Sequence, residues 1–371
     1  MNAISILTWI SNLENLATLA FIGSVLAVAI GGVWKLYLHF SEARNISNVA
    51  GQYYAQGQYA KAEQLYQQEL AQTLREKDLS PVSPNVVQSL NNLAAIYYAQ
   101  GQYARAEPLY LLSLALREKA IGPNHPDVAQ SLSNLAGLYN AQGAYAKAET
   151  FYQRLLALRE RTLSPGHPDV VQTLNNLAAL YFAQGQYAKA ELFYKKSLDL
   201  REKNLGPDHP NVATSLSNLA GLYYAQGQYE KAEPLYQRAL ALREKNLGHH
   251  PNVVTSLNNL AALYCSQSRY AEAEPLYQRA LAISEKELGP VHPDVAQNLY
   301  NLAVLYDTQG QYAKAEPLYR QSLGIWEKAL GPDHPNVAKS LLNFAAVLRE
   351  LDRAVEAKAM EARAKLIQTT Y

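Results

Sequence analysis

Apolar positions recur along most of this chain at three- and four-residue spacings, and the pattern recurs again at a much longer interval. Leu219, Leu222 and Tyr223, followed by Ala232, Leu235, Tyr236, Ala239 and Leu240, fall where only a helix places them on one face. Between the two runs stands Gln226-Gly227-Gln228, and Gly227 can take the left-handed conformation that closes a helix. The second run ends at Gly248 and the next opens at Pro251, which matches Gly just past one helix and Pro in the first turn of another. The spacing therefore predicts an antiparallel helix hairpin. An Asn marks its copies at Asn92, Asn134, Asn176, Asn218, Asn259, Asn301 and Asn343, with steps of 42 (134 − 92), 42, 42, 41, 42 and 42. One such unit cannot bury its own apolar face, so a fixed period of this length predicts a stacked, all-α solenoid.

About eight hairpins are expected over residues 47–369. The first, from Asn48 to Leu79, is ragged, with two extra residues near Gln72 and Thr73. The last runs from Pro335 to about Thr369, and there Ala354 and Glu361 stand where other units carry Tyr. More polar substitution suits the end of an array that faces water, so the array is expected to be complete.

The run Leu-x-x-Leu-Ala-x-x-Tyr-x-x-x-Gly-x-Tyr-x-x-Ala-x-x-x-Tyr, from Leu216 to Tyr236, resembles the tetratricopeptide repeat, with Ala220 and Ala232 where that family packs its two helices closely. The second helix is longer than usual by Leu242 to Lys245, and a linker such as Leu205 to Ala213 follows it. That longer form is similar to the kinesin light chain repeat, over roughly residues 47–351. Leu replaces the family's early Trp, and the usual Pro at the end of the second helix is missing. The resemblance implies a right-handed superhelical solenoid whose first helices line a concave, peptide-binding wall.

On that resemblance the wall comprises Asn92, Asn134, Asn176, Asn218, Asn259, Asn301 and Asn343. Beside them stand Gln88, Gln130, Gln172, Thr214, Thr255, Gln297 and Lys339, then Asn91, Ser133, Asn175, Ser217 and Asn258, then Tyr98, Asn140, Phe182 and Tyr224. A carboxamide offers one acceptor and two donors, enough to read a peptide backbone whatever its side chains. The same Asn could instead tie neighbouring backbone and adjacent units together. Cations are almost absent from these positions, so neither a carboxylate clamp nor the basic, acidic-cargo groove of kinesin light chains is expected. Kinesin heavy chain is not an expected partner either, because family members bind it through an N-terminal heptad region and this chain has an apolar run there.

That apolar run changes the picture at the N-terminus. Between a short segment 1–14 and a linker 39–46, residues 15–38 are read as a membrane-spanning helix. No charged residue occurs from Asn15 to Trp34, and at ~1.5 Å per residue those positions reach about 30 Å, the hydrocarbon thickness of a bilayer. Trp34, Lys35 and Tyr37 suit the interface. Lys35 and Arg44 follow the span and no cation precedes it, which puts the repeats in the cytoplasm of a single-pass protein. A cleaved signal peptide using Ala27-Val28-Ala29 and a buried end-capping helix are the rival readings; the first lacks a basic leader and the second a polar face.

Composition adds exclusions. The formal net charge is +1, and no charge run or basic patch supports nucleic-acid binding. Cys265 is the single cysteine, so no intrachain disulfide can form, and it stands where other units carry Tyr224 or Phe182, as a packing residue. Three tyrosine ladders, following Tyr97, Tyr103 and Tyr110, hold 21 of the 27 tyrosines at helical spacing, which reads as packing with hydroxyls at the edge. His125, His167, His209, His250, His292 and His334 all precede Pro; units about 10 Å apart cannot share one ion at ~2 Å, so these are read as helix-opening residues, with no metal and no cofactor. No phosphate-loop, nucleophile-elbow or zinc-protease motif occurs, and no enzyme is expected. The expected partners are proteins or peptide segments, held by a membrane-anchored scaffold; an exported soluble adaptor or a structural spacer are the alternatives.

Overall fold

The computed structural model describes residues 43–75, 84–247 and 251–370. The expected membrane segment 15–38 lies outside them, and among the described residues no helix is long and apolar enough to cross a membrane. Among the described residues sixteen helices alternate as first and second members of the repeat. They are α1 Ala43–Ala55, α2 Tyr59–Arg75, α3 Pro84–Ala99, α4 Tyr103–Ile121, α5 Val128–Ala141, α6 Tyr145–Thr162, α7 Pro168–Ala183, α8 Tyr187–Leu205, α9 Pro210–Ala225, α10 Tyr229–Leu247, α11 Pro251–Ser266, α12 Tyr270–Leu288, α13 Pro293–Thr308, α14 Tyr312–Leu330, α15 Pro335–Glu350 and α16 Ala354–Thr370. Two compact units form, one ending at Gln186 and one starting at Tyr187. Within the first, successive helices from α1 through α7 pack on one another; within the second, those from α8 through α16 do the same.

The turns between helices follow from their residues. Gly101 and Gly227 sit at φ 71° and 70°, where L residues other than Gly are strained. Around Gly227, its own N–H donates to Tyr224 O at 2.9 Å and Gln228 N–H to Tyr223 O at 2.9 Å, which meets the carbonyls left open at a helix end. At the start of α7, α9, α13 and α15, Pro occupies the first turn, and the preceding His accepts the N–H two residues on. His209 Nδ1 takes Asn211 N–H at 3.1 Å and His167 Nδ1 takes Asp169 N–H at 3.2 Å. These histidines are helix caps.

Pro108, Pro234, Pro275 and Pro317 lie inside α4, α10, α12 and α14. Each deprives the carbonyl four residues earlier of its N–H partner. Those carbonyls belong to Ala104, Glu230, Ala271 and Ala313, all exposed, so water can take the place of the missing donor. In α6 the corresponding residue is Thr150, whose hydroxyl donates back to Ala146 O at 3.0 Å.

The core is the apolar face of both helix types. Ala106, Ala148, Ala190, Ala232, Ala273 and Ala315 are each 0% exposed, as a close helix crossing needs. In the second unit Val212, Ala213, Leu216, Ala239 and Leu242 form one cluster, with Leu198 and Leu235 against it.

Candidate partner-binding site

Within each unit the first helices present a polar stripe to solvent. Gln88, Gln130 and Gln172 in the first unit, and Thr214, Thr255, Gln297 and Lys339 in the second, are exposed, while all seven ladder asparagines are half-buried beside them. One turn links the two positions. Gln Nε2 donates to Asn Oδ1 from Gln88 to Asn92 at 2.7 Å, and from Gln130 to Asn134, Gln172 to Asn176 and Gln297 to Asn301 at 2.8 Å. That bond fixes the amide orientation: the Asn Nδ2 donor and the Gln Oε1 acceptor are the groups left for a ligand. Asn218 and Asn259 have Thr four residues earlier and lack this brace.

Other expected wall residues are placed differently. Asn91 and Asn175 are buried, at 6% exposure. Asn258 donates to Asn298 Oδ1 in the next repeat at 2.7 Å, and Asn343 to the Tyr300 hydroxyl of the previous one at 2.7 Å. These four side chains serve the interior or the junction between repeats. Tyr98 and Phe182 are exposed and Tyr224 is half-buried. Tyr98 packs its ring on Tyr103 with centroids 5.7 Å apart, Tyr224 packs on Tyr229 at 5.7 Å, and the Tyr224 hydroxyl is 2.8 Å from Ser266 Oγ. Helices α3, α5, α9 and α11 contain no Asp, Glu, Lys or Arg, so the stripe is neutral over much of its length. Lys339, an exception, lies over the Tyr300 ring at 5.1 Å.

Two devices that join the repeats were not evident from local spacing. In the first, a buried tyrosine donates to a glutamate of the preceding second helix: Tyr97 to Glu63 at 2.8 Å, Tyr139 to Glu107 at 2.8 Å, Tyr223 to Glu191 at 2.8 Å and Tyr306 to Glu274 at 2.7 Å. A cation covers the ring, as Arg105 does over Tyr97 at 3.9 Å and Lys147 over Tyr139 at 4.7 Å. Burial, and then the bond to Glu63, pushes the Tyr97 hydroxyl up to about 12.

In the second device, an arginine near the end of one second helix reaches the start of the next first helix. Arg117 Nη1 donates to Asp127 O at 2.9 Å and Ser131 Oγ at 3.0 Å; Arg159 to Asp169 O at 3.0 Å and Thr173 Oγ at 2.7 Å; Arg201 to Asn211 O and Ser215 Oγ, both at 3.0 Å; Arg243 to Asn252 O at 3.3 Å and Ser256 Oγ at 2.5 Å. Desolvation lowers the pKa of all four guanidinium groups. The available signal was the recurrence of Arg and Ser at matched places 13 or 14 residues apart across the linker.

Among the described residues no three His, Cys, Asp or Glu side chains gather as a metal site would require. Burial raises the Cys265 thiol, which disfavours the reactive thiolate.

A first helix and a longer second helix, a glycine turn between them, alanines at the crossing and recurring ties between successive repeats define a helical-repeat protein of the interaction-scaffold type. The chain belongs to the tetratricopeptide repeat family, whose model matches residues 41–110, 85–161, 127–203, 169–245, 252–328 and 308–365. Among solved structures it is similar to BtubC (BKLC) from P. vanneervenii, at 26% identity over 64% of this chain and 91% of that one, with a TM-score of 0.53. It is also similar to a point variant of a Podosopora anserina protein of kinesin light chain type with nearly identical repeats, at 29% identity over 56% and 98%, TM-score 0.50. The apo quorum sensor NprR from B. thuringiensis shares the fold over 95% and 93% of the two chains, at 17% identity and a TM-score of 0.62. No curated protein matches the chain.

Proposed function

We propose that this protein is a membrane-anchored scaffold that holds extended segments of partner proteins along the stripe of its first helices, without catalysis. The observation that carries the reading is the braced amide pair. Each Gln–Asn pair turns an N–H donor and a C=O acceptor outward, the complement of one peptide group, and a stripe that is neutral over much of its length makes backbone and aromatic contacts the main means of recognition. Units packed at helix-packing distances of about 10 Å would meet roughly every third residue of an extended segment advancing ~3.3 Å per residue. The anchor rests on the uncharged, apolar run of residues 15–34, and the cytoplasmic placement on Lys35 and Arg44 behind it.

The test is affinity capture from membranes with the intact protein and with Asn134, Asn176, Asn218 and Asn259 all changed to Ala. Each lost hydrogen bond is worth about 0.5–1.5 kcal/mol, so together they should weaken capture by orders of magnitude. Raising the salt concentration should change it little. A folded quadruple variant that keeps its partners, or one that loses them only as its unfolding midpoint collapses, would reject the reading.

A further inference from the structure

The junction between α11 and α13 departs from the four that carry the arginine tie. Ser284 stands at the position of Arg243, Asn298 at that of Ser256, and Glu287 at that of Asn246. Where those four junctions hold a guanidinium, this one holds a cavity of about 240 Å³, with Ser284 and Asn298 among its lining residues and the exposed Glu287, Asp294 and Gln297 at its rim. That is smaller than the ~300–1,000 Å³ of typical small-molecule sites and suits a single side chain.

Of the two acceptors that an arginine uses elsewhere, the main-chain oxygen is kept here, while Asn298 replaces the hydroxyl. Arg159 donates to the main-chain oxygen of Asp169 at 3.0 Å and lies 3.6 Å from its carboxylate; Asp294 occupies the matching place in this junction. Its carboxylate has His292 Nδ1 at 3.7 Å, but that nitrogen accepts the Asp294 N–H and so brings no proton. Glu287 adds a second carboxylate at a position that is Ala120, Thr162, Asn204, Asn246 and Ala329 in other repeats. In the wall, the Nδ2 of Asn258 is committed to Asn298, and its buried Oδ1 has no partner. The departure thus removes a cation, opens its volume and adds an anion at the same point.

We propose that this cavity is an arginine pocket: it receives the guanidinium of an arginine carried by the bound partner segment, which takes the place that Arg117, Arg159, Arg201 and Arg243 fill from within. The guanidinium would donate to the Asp294 main-chain oxygen and to the Asp294 and Glu287 carboxylates, in the planar, forked geometry that favours arginine over lysine. The inference rests on the proposed stripe for the source of the arginine, while the pocket itself can be probed without any partner.

The experiment titrates the full chain with Nα-acetyl-arginine methylamide, followed by ligand-observed NMR, against the uncharged citrulline analogue, the lysine analogue and free L-arginine. Saturable binding of the capped arginine is expected, with the citrulline analogue at least about tenfold weaker because charge-assisted bonds are lost. Ser284→Arg should fill the pocket from within and abolish binding while holding or raising the unfolding midpoint. Glu287→Asn, which restores the residue of the neighbouring repeat, should weaken binding without affecting folding, and keeps the test decisive if Ser284→Arg folds poorly. Asn134→Ala with Asn176→Ala, in the other unit, should leave probe affinity unchanged, so the pocket and the stripe fail separately. Equal binding of arginine and citrulline probes, retention of binding in folded Ser284→Arg, or no effect of Glu287→Asn would overturn the assignment. Tighter binding of free L-arginine than of the capped residue would overturn its source in a partner segment.

Discussion

Arg201 bonds two groups at once, the main-chain oxygen of Asn211 and the hydroxyl of Ser215, each at 3.0 Å. A hydrogen bond from a charged donor is worth about 1.5–3 kcal/mol, and the oxygens left behind in a half-buried junction are costly to leave unpaired. Arg201→Met keeps much of the aliphatic stem and removes only the guanidinium. It should therefore lower stability by about 1–3 kcal/mol, read as a lower urea midpoint with little change in slope. Ser215 also lies 3.2 Å from Ser197 Oγ, so its hydroxyl retains a neighbour and the lower part of that range is expected. If Arg201→Met unfolds at the midpoint of the unchanged protein, the junction owes its order to apolar packing alone.

At the scale of the helix and its turn, much was legible in the sequence. The left-handed Gly227, the alanines at the crossing and the histidines at the helix starts are local signals, decided within one turn of the chain, and each lies where its spacing predicts. The Tyr97–Glu63 and Arg117–Ser131 ties were not legible, because their partners come from different helices and no helical periodicity aligns them. Asn91 and Asn175 were misplaced for a related reason: they directly precede exposed-stripe asparagines, and one residue of helical rotation separates wall from interior. The turn also supplies a prediction. Ser268, at the place of Gly227, has φ 59°, a conformation that costs an L residue about 1–2 kcal/mol, partly offset for Gly by the entropy of its unfolded chain. Ser268→Gly should raise stability by about 0.5–1 kcal/mol in denaturant unfolding; a destabilised variant would mean that the serine side chain supports the turn.

Across the whole molecule the buried tyrosines tie stability to pH. Burial comes first among the causes that push Tyr97, Tyr236 and Tyr300 up to about 12, and it also raises Tyr139, Tyr152, Tyr194 and Tyr277. An unfolded tyrosine ionises near ~10. Below that pH both states hold the phenolic proton; above it the unfolded chain releases protons that the folded chain keeps, so stability falls as pH rises from about 10 through about 12. Phenolate absorbance and helix content should change together there, and independent titration of these tyrosines with the helices intact would contradict their burial. This sensitivity decides how the proposed anchor should be tested, since alkaline carbonate washing would destabilise the repeats. Washing membranes with concentrated salt at neutral pH removes electrostatically held protein and leaves apolar insertion in place. The full chain should stay with the membrane under that wash, and a chain lacking residues 1–46 should be released as a helical, soluble array. Recovery of a mature chain beginning near Ile30 in a soluble extracytoplasmic fraction would instead show cleavage after Ala29 and make the scaffold an exported one.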